Sequence, residues 1–183
     1  MLVNLRALFG AIVDIMLFRR GPDSLPTSVG LLVGLIVANG ALAAFLVSAF
    51  GLGREMSIVE LIAGFAVPLA WYWVAFRLAN KPERFVQTMT AFFGVNVLLQ
   101  PIVAPLLASL APYMEKADPA VPPPAALSLL FFVVFVWAMC VWLRVVRAAF
   151  EWPYFAVVIF VLAQAFFTLS IDRLFFGTPS APV

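Results

Sequence analysis

The chain has 183 residues, 65% of them hydrophobic and 11% charged, against roughly 45–50% and 25% in soluble globular domains. A mean hydropathy of +1.11 excludes a soluble fold, and a formal charge of +2 is too mild for a nucleic-acid footprint. The absence of histidine removes haem ligation, histidine general-base catalysis and most zinc sites.

Residues 1–20, MLVNLRALFGAIVDIMLFRR, carry Asp14 inside the apolar stretch and no small-x-small cleavage site, so they are read as retained and not as a signal peptide. The uncharged run from Ala7 to Val13 is too short to span, and Arg6, Gly10 and Asp14 form one polar stripe at i, i+4 and i+8. This spacing predicts an amphipathic helix lying in the membrane interface. Its Leu, Ile and Phe side chains would face the acyl chains, with Arg19 and Arg20 at the headgroups.

Five apolar segments then follow, each opening with helix-start chemistry and each long enough to cross a hydrocarbon layer of roughly 30 Å. The first, about 27–49, starts after Pro26 and is broken by Gly51 and Gly53. Gly30, Gly34 and Ala38 line one of its faces and Gly40, Ala44 and Ser48 another, which predicts an enclosed helix packed closely on its neighbours. The second, about 57–77, has Ser57 and Glu60 spaced as a capping box and Pro68 near its centre. The third, about 82–111, has Asn80 as a candidate cap and Pro82 in the first turn. Within it Pro101 and Pro105 interrupt the amide ladder and release carbonyls that need new donors.

The connection Ala111 to Pro124, APYMEKADPAVPPP, reads as a stiff, partly extended strap. The fourth segment, about 125–146, carries the single Cys140, read as a small buried hydrophobe; one cysteine excludes an intrachain disulfide. The fifth runs about 153–175, and 177–183 is expected to be a disordered tail. The fold class is therefore an all-α integral membrane protein, with five transmembrane helices over 27–176 preceded by the interfacial helix.

Basic residues set the orientation. Arg6, Arg19, Arg20, Arg77, Lys81, Arg84, Arg144 and Arg147 fall in one set of alternate connections, and Arg54, Lys116 and Arg173 in the other. The eight against three place the amino terminus in the cytoplasm and the carboxyl terminus outside. Trp71, Tyr72, Trp73, Trp142, Trp152 and Tyr154 lie near the same predicted cytoplasmic ends, as an aromatic belt would.

Asn39, Asn96, Gln100 and Gln164 all fall near the middle of their segments, which predicts a polar layer at the midplane. Interhelical hydrogen bonding is the plainer role, worth about 0.6 kcal/mol per contact on average; lining a solute path is the other. No Asp, Glu, Lys or Arg lies at that depth, which argues against proton-coupled transport. An intramembrane enzyme lacks a visible acid, base or nucleophile pair, and no P-loop, dinucleotide fingerprint, nucleophile elbow or zinc-helix motif is present.

The plan of a short interfacial helix, a GPDSLP turn at Gly21 to Pro26 and five spans with a proline-bearing third span resembles the membrane domain of the Ypt-interacting-protein (YIP) family, in particular its small bacterial relatives, over about Ala7 to Phe175. The family's eukaryotic members carry Asp-Leu-x-Gly-Pro before the first span; here Asp23, Leu25 and Pro26 give D-x-L-P, with Gly21-Pro22 before it. The resemblance implies a non-enzymatic multi-pass protein of the bacterial inner membrane, with no cofactor. It would organise a membrane complex or the bilayer through helix packing, with lipid, a membrane-protein partner or a second copy as its contacts. The alternative is a passive channel or lipid transporter using the midplane amides. The long acidic cytosolic extension of the eukaryotic, GTPase-binding members has no counterpart in this sequence.

Overall fold

The computed structural model describes residues 5–51, 58–116 and 122–176. All regular structure among them is helical: α1 (Leu5–Met16), α2 (Val29–Phe50), α3 (Ile58–Leu78), α4 (Phe85–Lys116), α5 (Ala125–Phe150) and α6 (Tyr154–Phe176), with single 3-10 turns at Pro22–Ser24 and Pro82–Arg84. Four helices, α2, α4, α5 and α6, are long and apolar enough to cross a membrane. The apolar stretch described in α3, Ile62–Leu78, is shorter. The capping box at Ser57, the middle of the strap (117–121) and the tail 177–183 lie outside the described residues.

Local chemistry fixes the helix ends. Ser28 caps α2, its hydroxyl accepting from the Leu31 N–H at 3.2 Å. Gly51 closes α2 in the left-handed conformation, φ 61°. Asn80 does not cap α4 as the sequence suggests; it ends α3. Its φ is 54°, its N–H reaches Arg77 O and the next N–H, of Lys81, reaches back to Phe76 O at 3.0 Å, the pattern of a Schellman closure in which Asn tolerates the left-handed turn. Phe18 closes α1 in the same way at φ 62°, with the Arg19 N–H on Asp14 O at 2.8 Å.

The prolines do not end α4. It runs through Pro101, Pro105 and Pro112 to Lys116 over 32 residues, about 48 Å at 1.5 Å per residue, so the start of the expected strap is helical. Pro68 likewise lies inside α3.

Helix α2 and α4 share the most extensive contact, while α6 packs on α3 and α5. Leu32, Asn39 and Leu46 are buried along α2; their spacing of seven is that of a coiled-coil seam. The small-residue ridge behaves otherwise. Gly30, Gly34 and Ala38 are exposed, a Cβ at Gly34 would meet nothing within 4 Å, and Ala44 is exposed as well. Only Gly40 is buried in contact, with the Phe65 ring 3.3 Å from where its Cβ would be. Apolar helices give no sign of which face turns inward, because lipid accepts Gly, Ala and Leu alike.

Helix α1 turns its apolar stripe, Leu8, Ile12, Ile15 and Met16, inward onto Ala91, Val95 and Leu99 of α4 and Val141 and Val145 of α5. The sequence expectation sent this stripe to the acyl chains; Leu5, Phe9 and Leu17 are the ones left exposed. Gly94 makes the approach possible, since a Cβ there would lie 2.7 Å from Ile12 Cδ1. Trp137 Nε1 holds the helix end through Met16 O at 3.2 Å.

Candidate functional site

Three connections meet at one end of the bundle, which we term the loop end: residues 17–28, 79–84 and 151–153. Gln87 Nε2 donates to Leu25 O at 2.9 Å, pinning the GPDSLP turn to α4. At Gly21 the Asp23 carboxylate turns back over the backbone of this turn, where a Cβ would have to displace it. Glu151 closes α5 at φ 61° and takes both Lys81 (2.6 Å) and Arg84 (2.7 Å). The same cations reach the last carbonyls of α5, Lys81 to Phe150 O at 3.0 Å and Arg84 to Ala149 O at 3.1 Å, neutralising the negative helix end. Hydrogen bonds from Lys81 and then Arg84 hold the Glu151 carboxyl below its ordinary value. Asp23, Arg84, Gln87 and Glu151 line a polar cup of about 250 Å³ here.

Deeper in the bundle the midplane amides divide. Asn39 is 1% exposed and donates through Nδ2 to Leu35 O on its own helix at 2.9 Å and to Phe93 O on α4 at 2.7 Å. Gln100 Nε2 donates to Asn39 Oδ1 at 2.9 Å. Asn39 thus welds α2 to α4. The acceptor it finds on α4 is Phe93 O, not the carbonyls that Pro101 and Pro105 release at Val97 and Pro101. Gln164 is buried on α6, and no hydrogen bond links it to the other amides among the described residues.

Asn96 and Gln100 line a lateral groove of about 440 Å³ between α2, α4 and α5, whose other walls include Leu46, Leu107, Met139 and Trp142. Gln100 Oε1 is buried without a partner, as are Tyr72 Oη and Trp142 Nε1. Tyr72 and Trp142 both border a separate pocket of about 10 Å³, room for about one water. Neither belongs to an aromatic belt: Tyr72 is 1% exposed and Trp142 packs edge-on against Phe92 at 4.2 Å. Trp73 and Tyr154 are the exposed ones, under Arg77 at 5.1 Å and Arg147 at 4.1 Å. Cys140 is exposed on α5, against the buried position expected of it.

The sequence missed the groove and the loop-end cup because both are made by residues distant in the chain. The (i, i+4) pair Asn96 and Gln100 was the one local signal for the groove. No group of three or more His, Cys, Asp or Glu that could hold a metal ion occurs among the described residues. Comparison with protein-family models, with curated proteins and with solved structures gave no match.

Proposed function

We propose that this chain is a five-span protein of the bacterial inner membrane, amino terminus cytoplasmic and carboxyl terminus outside, that organises a membrane complex or the bilayer through helix packing, without catalysis and without a cofactor. α3, 21 residues and about 32 Å long, is the fifth span, and α1 is the short helix that rests against the bundle at the cytoplasmic side. The observation that carries the reading is the seam at Asn39: Asn39 and Gln100 join α2 to α4, and among the described residues Gln164 on α6 has no hydrogen bond to either. The resemblance to the YIP membrane domain supports the same role. Leu25 of its D-x-L-P stretch is buried, with its carbonyl held by Gln87.

Stability and flux measured on the same variants test it. Gln100→Leu should cost about 0.5–2 kcal/mol of bundle stability, and the parent protein in proteoliposomes should pass neither solute nor labelled lipid. Flux lost in Gln100→Leu or Asn96→Leu at unchanged stability would instead establish the passive-path alternative, which the groove beside these residues favours. For orientation, single cysteines at Ser24 and at Ala117, the latter outside the described residues, are compared in a Cys140→Ser background. With an impermeant thiol reagent on intact cells only position 117 should label, and labelling at 24 would reverse the topology.

A further inference from the structure

We propose that the surface where residues 18–21 run beside the last turns of α5 binds the phosphate headgroup of an anionic phospholipid, with Arg144 and Arg147 as its ligands. The course of that segment is fixed at two points. Phe18 lies beneath Arg144, whose guanidinium carbon is 5.8 Å from the ring centroid, and a Cβ at Gly21 would be 3.8 Å from Ala148 Cβ. Arg19 and Arg20 are therefore carried along the stretch of α5 that presents Arg144 and Arg147, and all four are exposed.

The two pairs differ in their partners. Arg19 and Arg20 share the Asp14 carboxylate, at 3.9 Å and 3.0 Å. Arg144 and Arg147 have no carboxylate partner among the described residues. Each lies instead over a ring, Arg144 over Phe18 and Arg147 over Tyr154 at 4.1 Å, where a ring face attracts a cation without neutralising it. Arg147 Nη1 donates to Tyr154 Oη at 3.2 Å; the other N–H groups of the two guanidinium forks are available in their planes, the geometry in which arginine takes phosphate oxygens.

The source of the phosphate follows from what lies below the arginines. Arg147, Arg144, Cys140 and Val136 succeed one another at spacings of three and four along one face of α5, and all are exposed. An acyl chain lying on this face brings its phosphate to the two arginines, whereas a free phosphate makes no use of it. A zwitterionic headgroup would add an ammonium that needs a carboxylate of its own. Asp14 is already shared by two cations and Glu151 by two others, and Asp23 turns in over the Gly21 backbone. The site rests on the reading of the chain as membrane-spanning and adds to the packing role a class of lipid that the loop end selects.

The test uses the intact protein in nanodiscs of equal parts phosphatidylcholine and phosphatidylglycerol, with a bimane fluorophore on Cys140, the one cysteine of the chain. Bromine in the upper acyl chain of one lipid or the other quenches the fluorophore on contact. Phosphatidylglycerol should be enriched at Cys140 by about fivefold over phosphatidylcholine, the factor that one basic residue gives near anionic lipid. The double variant Arg144→Gln, Arg147→Gln should remove the enrichment, and it should fold because both side chains are exposed. Arg77→Gln, which removes an exposed charge from α3, should keep it. Equal quenching by the two lipids on the unaltered protein overturns the site and leaves the membrane reading standing, whereas no quenching by either overturns the membrane reading of this face as well. An equal loss in Arg77→Gln overturns the site in favour of a diffuse surface potential. Loss of the enrichment on adding inorganic phosphate, beyond that given by chloride at the same ionic strength, overturns the lipid in favour of a free anion.

Discussion

At the loop end Phe76 of α3 stacks on Phe150 of α5 with ring centroids 4.2 Å apart and planes 14° from parallel, and Trp152 lies on the other side at 4.4 Å. In the opposite half the same helix α5 has Leu129, Phe132, Val133 and Val136 exposed, and all five of its buried residues fall between Val141 and Phe150. The hydrophobic effect cannot account for this asymmetry, because lipid solvates Leu and Phe as well as a neighbouring helix does. What differs among the described residues is polar chemistry: Lys81, Arg84 and Glu151 tie α3, α4 and α5 together at the loop end, whereas beyond it the Asn39 seam joins α2 to α4. Helices held at one end and freed at the other leave room between them, and the lateral groove occupies that room.

The largest expected effect contrasts the two halves directly. Phe76→Ala removes a fully buried ring and should cost about 3 kcal/mol, while Phe132→Ala, 61% exposed, should cost under about 0.5 kcal/mol. Reversible unfolding in mixed micelles gives both. Equal losses would mean that the outer face of α5 is buried in an assembly, and the contrast between halves would vanish.

Helix positions were legible because caps and breakers act within a few residues: Pro26, Gly51, Pro82 and Pro153 mark boundaries by their own backbone chemistry, while the cap at Ser28 emerged only in the structure. Facing was not. Gly30, Gly34 and Ala38 promise close packing by composition, yet the seam runs through Leu32, Asn39 and Leu46, since an all-apolar helix carries no amphipathic signature of its inner face. Asn80 was legible as a cap but not as to which helix, because Asn suits both an N-cap and a left-handed C-terminal turn. The separation of Gln164 from Asn39 and Gln100 depends on which helices neighbour one another, which no local pattern encodes.

Two smaller effects sharpen the boundary between the halves. Gly94→Leu would drive a side chain into Ile12 and lever α1 off α4, costing about 2 kcal/mol. Amide exchange should then accelerate across residues 5–16 with α3 and α6 unchanged, and uniform acceleration would show α1 to be part of the common core. At the seam, Asn39→Leu leaves the Gln100 amide without its acceptor and should cost about 1 kcal/mol. Adding Gln100→Leu should cost little more, because no unpaired amide then remains buried. Strict additivity would mean the two side chains act independently.

The smallest effect is a pH dependence at the loop end. Glu151 is exposed, and its carboxyl is held below the ordinary value by hydrogen bonds from Lys81 and Arg84. A carboxyl whose folded value is depressed binds its proton more weakly folded than unfolded, so its stabilising contribution is complete above the unfolded value near 4.5 and disappears as pH falls through the lower folded one. Protonation releases Lys81 and Arg84 from the carboxylate but leaves their contacts with Phe150 O and Ala149 O, so the tie loosens without parting. Acidification to below the carboxylate range should therefore lower stability modestly in the parent, and less so in Glu151→Gln, which keeps the left-handed turn. High salt should mimic part of the acid effect, because the pair faces solvent. If the parent and Glu151→Gln lose stability identically on acidification, the ion pair contributes nothing, and the loop end is held closed by the aromatic stack of Phe76, Phe150 and Trp152 with the Lys81 and Arg84 contacts to the last carbonyls of α5.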